Sequence, residues 1–114
     1  MTEEIATEFQ PSILDNLKRM TALPSSNPRS YMTKLENVRS LLAEGQGLYP
    51  EISVATTQAY YDWMVERLAT AIRRDGKAMK SRYSGTDATT GDEFEAGTDI
   101  IWAPGLRLAM RANG

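Results

Sequence analysis

The chain contains no cysteine and no histidine. Disulfides, thiol nucleophiles and imidazole general bases are therefore excluded, as are Cys/His zinc sites and His-dependent triads. No run approaches the ~20 apolar residues needed to span a bilayer. The opening Met-Thr-Glu-Glu lacks the apolar core of a signal peptide. A cytoplasmic location without membrane association is the expectation. Neither Gly-x-Gly-x-x-Gly nor Gly-Lys-Ser occurs, so the glycine-rich phosphate cradles are missing too.

What remains is 114 residues, 41% hydrophobic and 25% charged, enough for one globular core. The net charge of −2 hides an uneven layout. Residues 1–66 carry nine acids against five bases. Residues 67–82 carry Arg67, Arg73, Arg74, Lys77, Lys80 and Arg82 against Asp75 alone. Residues 83–99 hold Asp87, Asp92, Glu93, Glu95 and Asp99 with no base, and Arg107 and Arg111 follow. A basic band thus sits next to an acidic one.

Periodicity predicts three helices. Thr2, with Glu3 and Glu4 behind it, suits a short capped turn in the polar lead-in 1–10. Pro11 suits a first helical position, and Ile13, Leu14, Leu17, Met20 and Leu23 follow at helical spacing up to Pro24. Asn27 and Pro28 open the second helix, with Tyr31, Leu35, Val38 and Leu42 on one stripe and Gly45 as its stop. The third runs from near Ser53 to about Arg74 with Tyr60, Met64, Leu68, Ala71 and Ile72 on its stripe. Gly76 either terminates it or is tolerated inside it, so Lys77 to Arg82 continue the helix or form a second short one.

After Tyr83 turn residues dominate. Glu93-Phe94-Glu95 and Thr98 to Trp102 alternate like two short strands, which predicts a β-hairpin with Gly97 in its turn. Leu106, Leu108 and Met110 fit a terminal strand or a short helix. The expected fold is mainly α: a three-helix bundle with a C-terminal β-hairpin, a small α+β domain. Residues 1–82 would form the bundle with its long third helix. Residues 83–114 would form the hairpin and tail packed on it in the same domain.

Residues 83–104 resemble the first half of a small zinc-finger hairpin found in phage and bacterial nucleic-acid proteins. That pattern reads Cys-x-x-Cys-Gly, an apolar residue, Gly, then Ile-x-Trp. Gly91, Phe94, Gly97, Ile100 and Trp102 stand where it wants them, while Asp87 and Thr90 occupy the two cysteine places. The downstream Cys or His pair is missing. Four thiolate or imidazole ligands close a structural zinc tetrahedron, and one aspartate with one threonine cannot replace them. The resemblance implies a hairpin scaffold without metal, held by Phe94, Ile100 and Trp102 instead.

Three further constellations carry chemistry. Arg73, Lys77 and Lys80 would form an i, i+4, i+7 row on one helix, able to contact phosphates. The alternatives are a solvated helix end favoured by the dipole and a fold-back of the acidic segment onto the basic one. Tyr60, Tyr61 and Trp63 form an aromatic cluster in which Tyr60 belongs to the core stripe. Tyr61 and Trp63 lie off it, available for stacking or a partner. Asp62 and Glu66, at i, i+4, are able to share a cation or are simply solvated. Asp92, Glu93 and Glu95 lack the order of a calcium loop.

The expected function is a non-catalytic accessory binding protein, phage-encoded by the hairpin resemblance, in the host cytoplasm or virion. Arg67, Arg73, Arg74, Lys77, Lys80 and Arg82, with Tyr61 and Trp63, would contact a nucleic-acid backbone or an acidic protein surface. No catalytic residue, metal or cofactor is assigned. The alternative is a structural or assembly protein, a virion component or adaptor, whose residues 1–10 and 103–114 become ordered against neighbouring subunits. An inhibitor acting through the acidic hairpin is the third reading. Self-association is left open.

Overall fold

The computed structural model describes residues 8–112, so the Thr2 cap lies outside the described residues. Three helices come first: α1 (Pro11–Arg19), α2 (Pro28–Ala43) and α3 (Val54–Asp75). Five strands follow: β1 (Lys77–Lys80), β2 (Gly85–Thr86), β3 (Glu93–Phe94), β4 (Asp99–Ala103) and β5 (Leu108–Arg111). The chain divides into two units, Met1–Met64 and Val65–Gly114, and α3 contributes to both. Among the described residues no helix is long and apolar enough to cross a membrane.

Local chemistry sets the helix ends of the N-terminal unit. The Asn27 side chain accepts from the Ser30 N–H at 3.1 Å and Pro28 fills the first helical position, which starts α2. Gly45, at φ +73°, stops it: its N–H reaches the Leu42 carbonyl and the Gln46 N–H the Leu41 carbonyl. Ser53 caps α3 through its hydroxyl and the Thr56 N–H at 3.0 Å. Gln10 ties the start of α1 to that cap. Its N–H donates to Thr56 Oγ1, its side-chain oxygen accepts from the Ser53 N–H, and its amide donates to the Glu51 carbonyl.

The apolar stripes meet as their spacing requires. Tyr31, Leu35 and Val38 of α2 and Tyr60 and Met64 of α3 are buried. Two polar contacts orient them: Tyr31 Oη donates to the Met64 carbonyl at 2.8 Å, and the Thr21 and Tyr60 hydroxyls lie 2.5 Å apart. Helix α1 is shorter than its periodicity implies. Thr21 Oγ1 donates to the Leu17 carbonyl and closes the last turn. Met20 and Leu23 therefore fall outside the helix and are exposed.

The C-terminal unit corrects the expected fold. A mainly α bundle ending in one hairpin is replaced by an α+β arrangement in which five antiparallel strands form two sheets. The larger sheet has the order β1-β4-β5; β2 and β3 pair separately. The β3–β4 hairpin does not form. Gly97, at φ +90°, does sit in a turn where the Thr98 N–H reaches the Glu95 carbonyl. The strands either side of it have other partners: Phe94 pairs with Gly85, and β4 lies between β1 and β5. The physical reason is the Ile-Ile-Trp-Ala run of β4. It is apolar on both faces, which suits a central strand needing a neighbour at each edge.

Lys77 to Lys80 are likewise strand, not helix, so the i, i+4, i+7 row of Arg73, Lys77 and Lys80 does not exist. Gly76 is the cause. A Cβ there would stand 2.4 Å from the Ile72 carbonyl oxygen and 2.5 Å from Ile101 Cγ2. Only glycine lets the chain leave α3 and turn directly against β4. Leu108 and Met110 lie in strand β5, while Leu106 lies in the turn Pro104–Arg107 that leads into it.

Gly76→Ala is expected to destabilise the protein by about 2 kcal/mol or more, because backbone and a packed side chain must shift. Gly97→Ala has open space around its Cβ and carries only the left-handed backbone cost of about 1–2 kcal/mol. Urea unfolding of both variants checks the order.

Candidate functional site

The segment Asp87–Gly91 is organised by one carboxylate. Asp87 is 1% exposed. Its Oδ1 accepts from the Thr89 N–H at 2.8 Å and from the Thr89 hydroxyl at 2.6 Å. Its Oδ2 accepts from the Arg111 N–H at 3.0 Å, across to β5. Its backbone closes the knuckle as well: its carbonyl receives the Thr90 and Gly91 N–H groups, and its N–H donates to the Asp92 carbonyl. Gly91 supplies the required φ of +81°. Beside it, the Ala88 N–H donates to the Ala109 carbonyl at 2.8 Å. The knuckle thereby seals the outer edge of β5.

These residues do not fit a zinc ion. The Asp87 oxygens are committed to hydrogen bonds, and Thr90 Oγ1 accepts from the Asp92 N–H at 3.1 Å. No group of three or more Asp or Glu able to hold a metal occurs among the described residues. Asp87 instead makes the link between knuckle and terminal strand by hydrogen bonds to an ionised acceptor, which are stronger than neutral ones.

Strand parity then builds a groove. Lys77, Met79, Ile100, Trp102, Ala109 and Arg111 share one face of the larger sheet. Phe94 of the β2–β3 ribbon packs there with Ile100 and Ala109. Its ring lies over Gly85, where a Cβ would come within 2.8 Å of it. Trp102, further along the face, stays 37% exposed and Met79 39% exposed. The result is a cleft of about 390 Å3 whose walls include Met79, Phe94, Ile100 and Trp102, with Arg82, Tyr83 and Arg107 at its edge. Ser81 fixes the approach to Tyr83: its hydroxyl donates to the Tyr83 carbonyl and accepts from the Tyr83 N–H. The Tyr83 ring is 77% exposed.

No acid lines this cleft, and the alternation of the strands explains why. Glu93 precedes Phe94 in β3 and so points to the other side of the ribbon, and Glu95, past the end of the strand, is exposed. Asp99 lies on the opposite sheet face, where it pairs with Lys80 at 3.0 Å. Asp92 is 3.5 Å from Arg111, and Asp87 is buried in the knuckle. Arg82 and Arg107 make no ion pair among the described residues. A fold-back of acids onto bases thus happens at Lys80 and Arg111 and spares the cleft.

The residues expected to bind a partner are dispersed differently from a single helix face. Arg73 and Arg74 are exposed in the last turn of α3, and Arg67 is half-buried one face earlier. Lys77 is on the cleft face of β1 and Lys80 on the other. Tyr61 and Trp63 are engaged in the N-terminal unit. Arg39 Nε donates to Tyr61 Oη at 2.7 Å, while Trp63 stacks 6.0 Å from Tyr60 with Lys18 over its ring. Gly91, Phe94, Gly97, Ile100 and Trp102 all shape the knuckle, turn or cleft. Residues 103–112, expected as an arm ordered only in an assembly, already form the β4–β5 connection and β5. Arg107 and Tyr83 were not singled out from sequence. Tyr83 carried a signal, an aromatic directly after the basic band. Arg107 carried none, because its position depends on the turn that holds it. Searches of protein-family models, curated proteins and solved structures find no match to the chain.

Asp87→Ala leaves the buried Thr89 N–H and hydroxyl and the half-buried Arg111 N–H without their acceptor, so a loss of about 3 kcal/mol is expected. Asp87→Asn, which sets an amide donor against the Arg111 N–H, is expected to lose about 2 kcal/mol. Thr90→Ala, at an exposed site, should cost under about 1 kcal/mol. Urea titration with and without EDTA reads all three, and EDTA is expected to change none of the midpoints.

Proposed function

We propose that the chain is a non-catalytic nucleic-acid-binding protein that works through the cleft face of its C-terminal unit. One observation carries the reading: arginines and aromatics line a cleft that has no carboxylate among its lining residues. Phosphates are attracted to unpaired cations, and bases stack on exposed rings. Lys77, Arg82 and Arg107 supply the first, and Tyr83 and Trp102 the second. Arg73 and Arg74, exposed in the same unit, extend the attraction to a longer strand. Carriage by a phage, with the host cytoplasm or virion as location, belongs to the same proposal and rests on the sequence resemblance of residues 83–104 alone.

Fluorescence anisotropy with a labelled single-stranded oligonucleotide tests this. Binding is expected to weaken as salt rises, with a log–log slope of about −2 for three phosphate contacts on a single strand. The double substitution Arg82→Glu, Arg107→Glu should abolish it. Salt-independent binding, or none to any oligonucleotide, would refute the reading.

A further inference from the structure

Within the nucleic-acid reading, on which this inference rests, we infer that the cleft is a pocket for one unstacked base of a single strand. The base lies against Trp102 and Tyr83, and its flanking phosphates reach Arg82 and Arg107.

The aromatic geometry favours an unpaired base. A duplex hides the faces of its bases, so an exposed ring gains stacking only from a strand whose bases are splayed out. Phe94, not Trp102, fills the space over Ile100 and Ala109. Trp102 is left half open on the sheet face, next in register to Lys77 on one side and Ala109 on the other. Tyr83 is more exposed still, yet its backbone is pinned by the Ser81 hydroxyl, which accepts from its N–H and donates to its carbonyl. Two rings held at one cleft, neither used to seal a core, form a stacking platform. Ser84 lines the same cleft with a hydroxyl able to bond a base edge.

The backbone supplies an independent observation. Arg107 has φ +57°, the positive φ found at a non-glycine residue among those described. Its N–H closes the turn onto the Ala103 carbonyl at 2.8 Å. Glycine would occupy this position without strain. An arginine held there against its own preference sets a guanidinium at the rim of the pocket, and strain of this kind marks functional positions. The absence of any carboxylate in the lining disfavours a cationic ligand. The apolar walls would be wasted on a free phosphate.

The test compares three probes on the full chain at fixed salt: labelled oligothymidylate, an abasic strand of the same length, and a blunt duplex. Oligothymidylate is expected to bind about tenfold tighter than either of the others. It should also quench the Trp102 fluorescence, read in a Trp63→Phe background. Arg107→Gly should lose about tenfold in affinity while the melting temperature holds or rises, which separates binding from folding. Equal binding of all three probes would overturn the base pocket and leave the nucleic-acid reading standing. Failure of every strand to bind would remove both. Binding of oligothymidylate without any change in Trp102 fluorescence would place the strand away from the cleft and overturn the inference.

Discussion

The carboxylate of Asp87 is the constraint on which the C-terminal unit depends. It is a buried charge, and burial of a charge is tolerated only when its hydrogen-bonding capacity is met. Here two donors come from Thr89 and one from the backbone of Arg111, more than twenty residues further along. The first pair shapes the knuckle; the third fixes the knuckle to the edge of β5. Because the Ala88 N–H joins Ala109 alongside, β5 is bounded by β4 on one side and by the knuckle on the other. The β2–β3 ribbon is continuous with that knuckle, and so the position of Phe94 over the sheet follows from the same anchor.

Charge sorting is a consequence of this geometry. The segment 83–99 is strongly acidic in sequence, yet the face it helps to build carries no acid in its cleft. The knuckle buries one carboxylate, and the two-residue period of the strands turns Glu93 and Asp99 away from the cleft. A net charge close to zero is thereby converted into a surface with a defined sign. Aromatic rings and arginines are then grouped by topology from β3, β4 and two loops, although they are far apart along the chain.

Local signals in the sequence were legible where local chemistry decides the structure. The Asn27-Pro28 start of α2 and its Gly45 stop are set by hydrogen bonds within one turn, so residue type alone reveals them. The four-residue steps of Tyr60, Met64, Leu68 and Ile72 likewise show which side of α3 is buried. Partnerships between distant segments were not legible. The Gly97 turn is real, but turn chemistry does not disclose which strands pair. Lys77–Lys80 has no strong strand preference and becomes strand because Gly76 delivers it against β4. In sequence Asp87 stands only in a cysteine place of the zinc-finger pattern; its value comes from a backbone N–H on β5 that no spacing rule points to. Tyr61 and Trp63 looked free by periodicity, but each finds a neighbour on another helix of the N-terminal unit.

Native-state amide hydrogen exchange, followed by NMR in the presence of a chelator, tests the role of Asp87 most directly. If the carboxylate is the anchor, the Thr89 and Arg111 amides exchange as slowly as the Ile100 and Met110 amides of the central pairing, and added zinc leaves them unchanged. Rapid exchange at Thr89 and Arg111, or protection that develops only when zinc is supplied, would contradict the account.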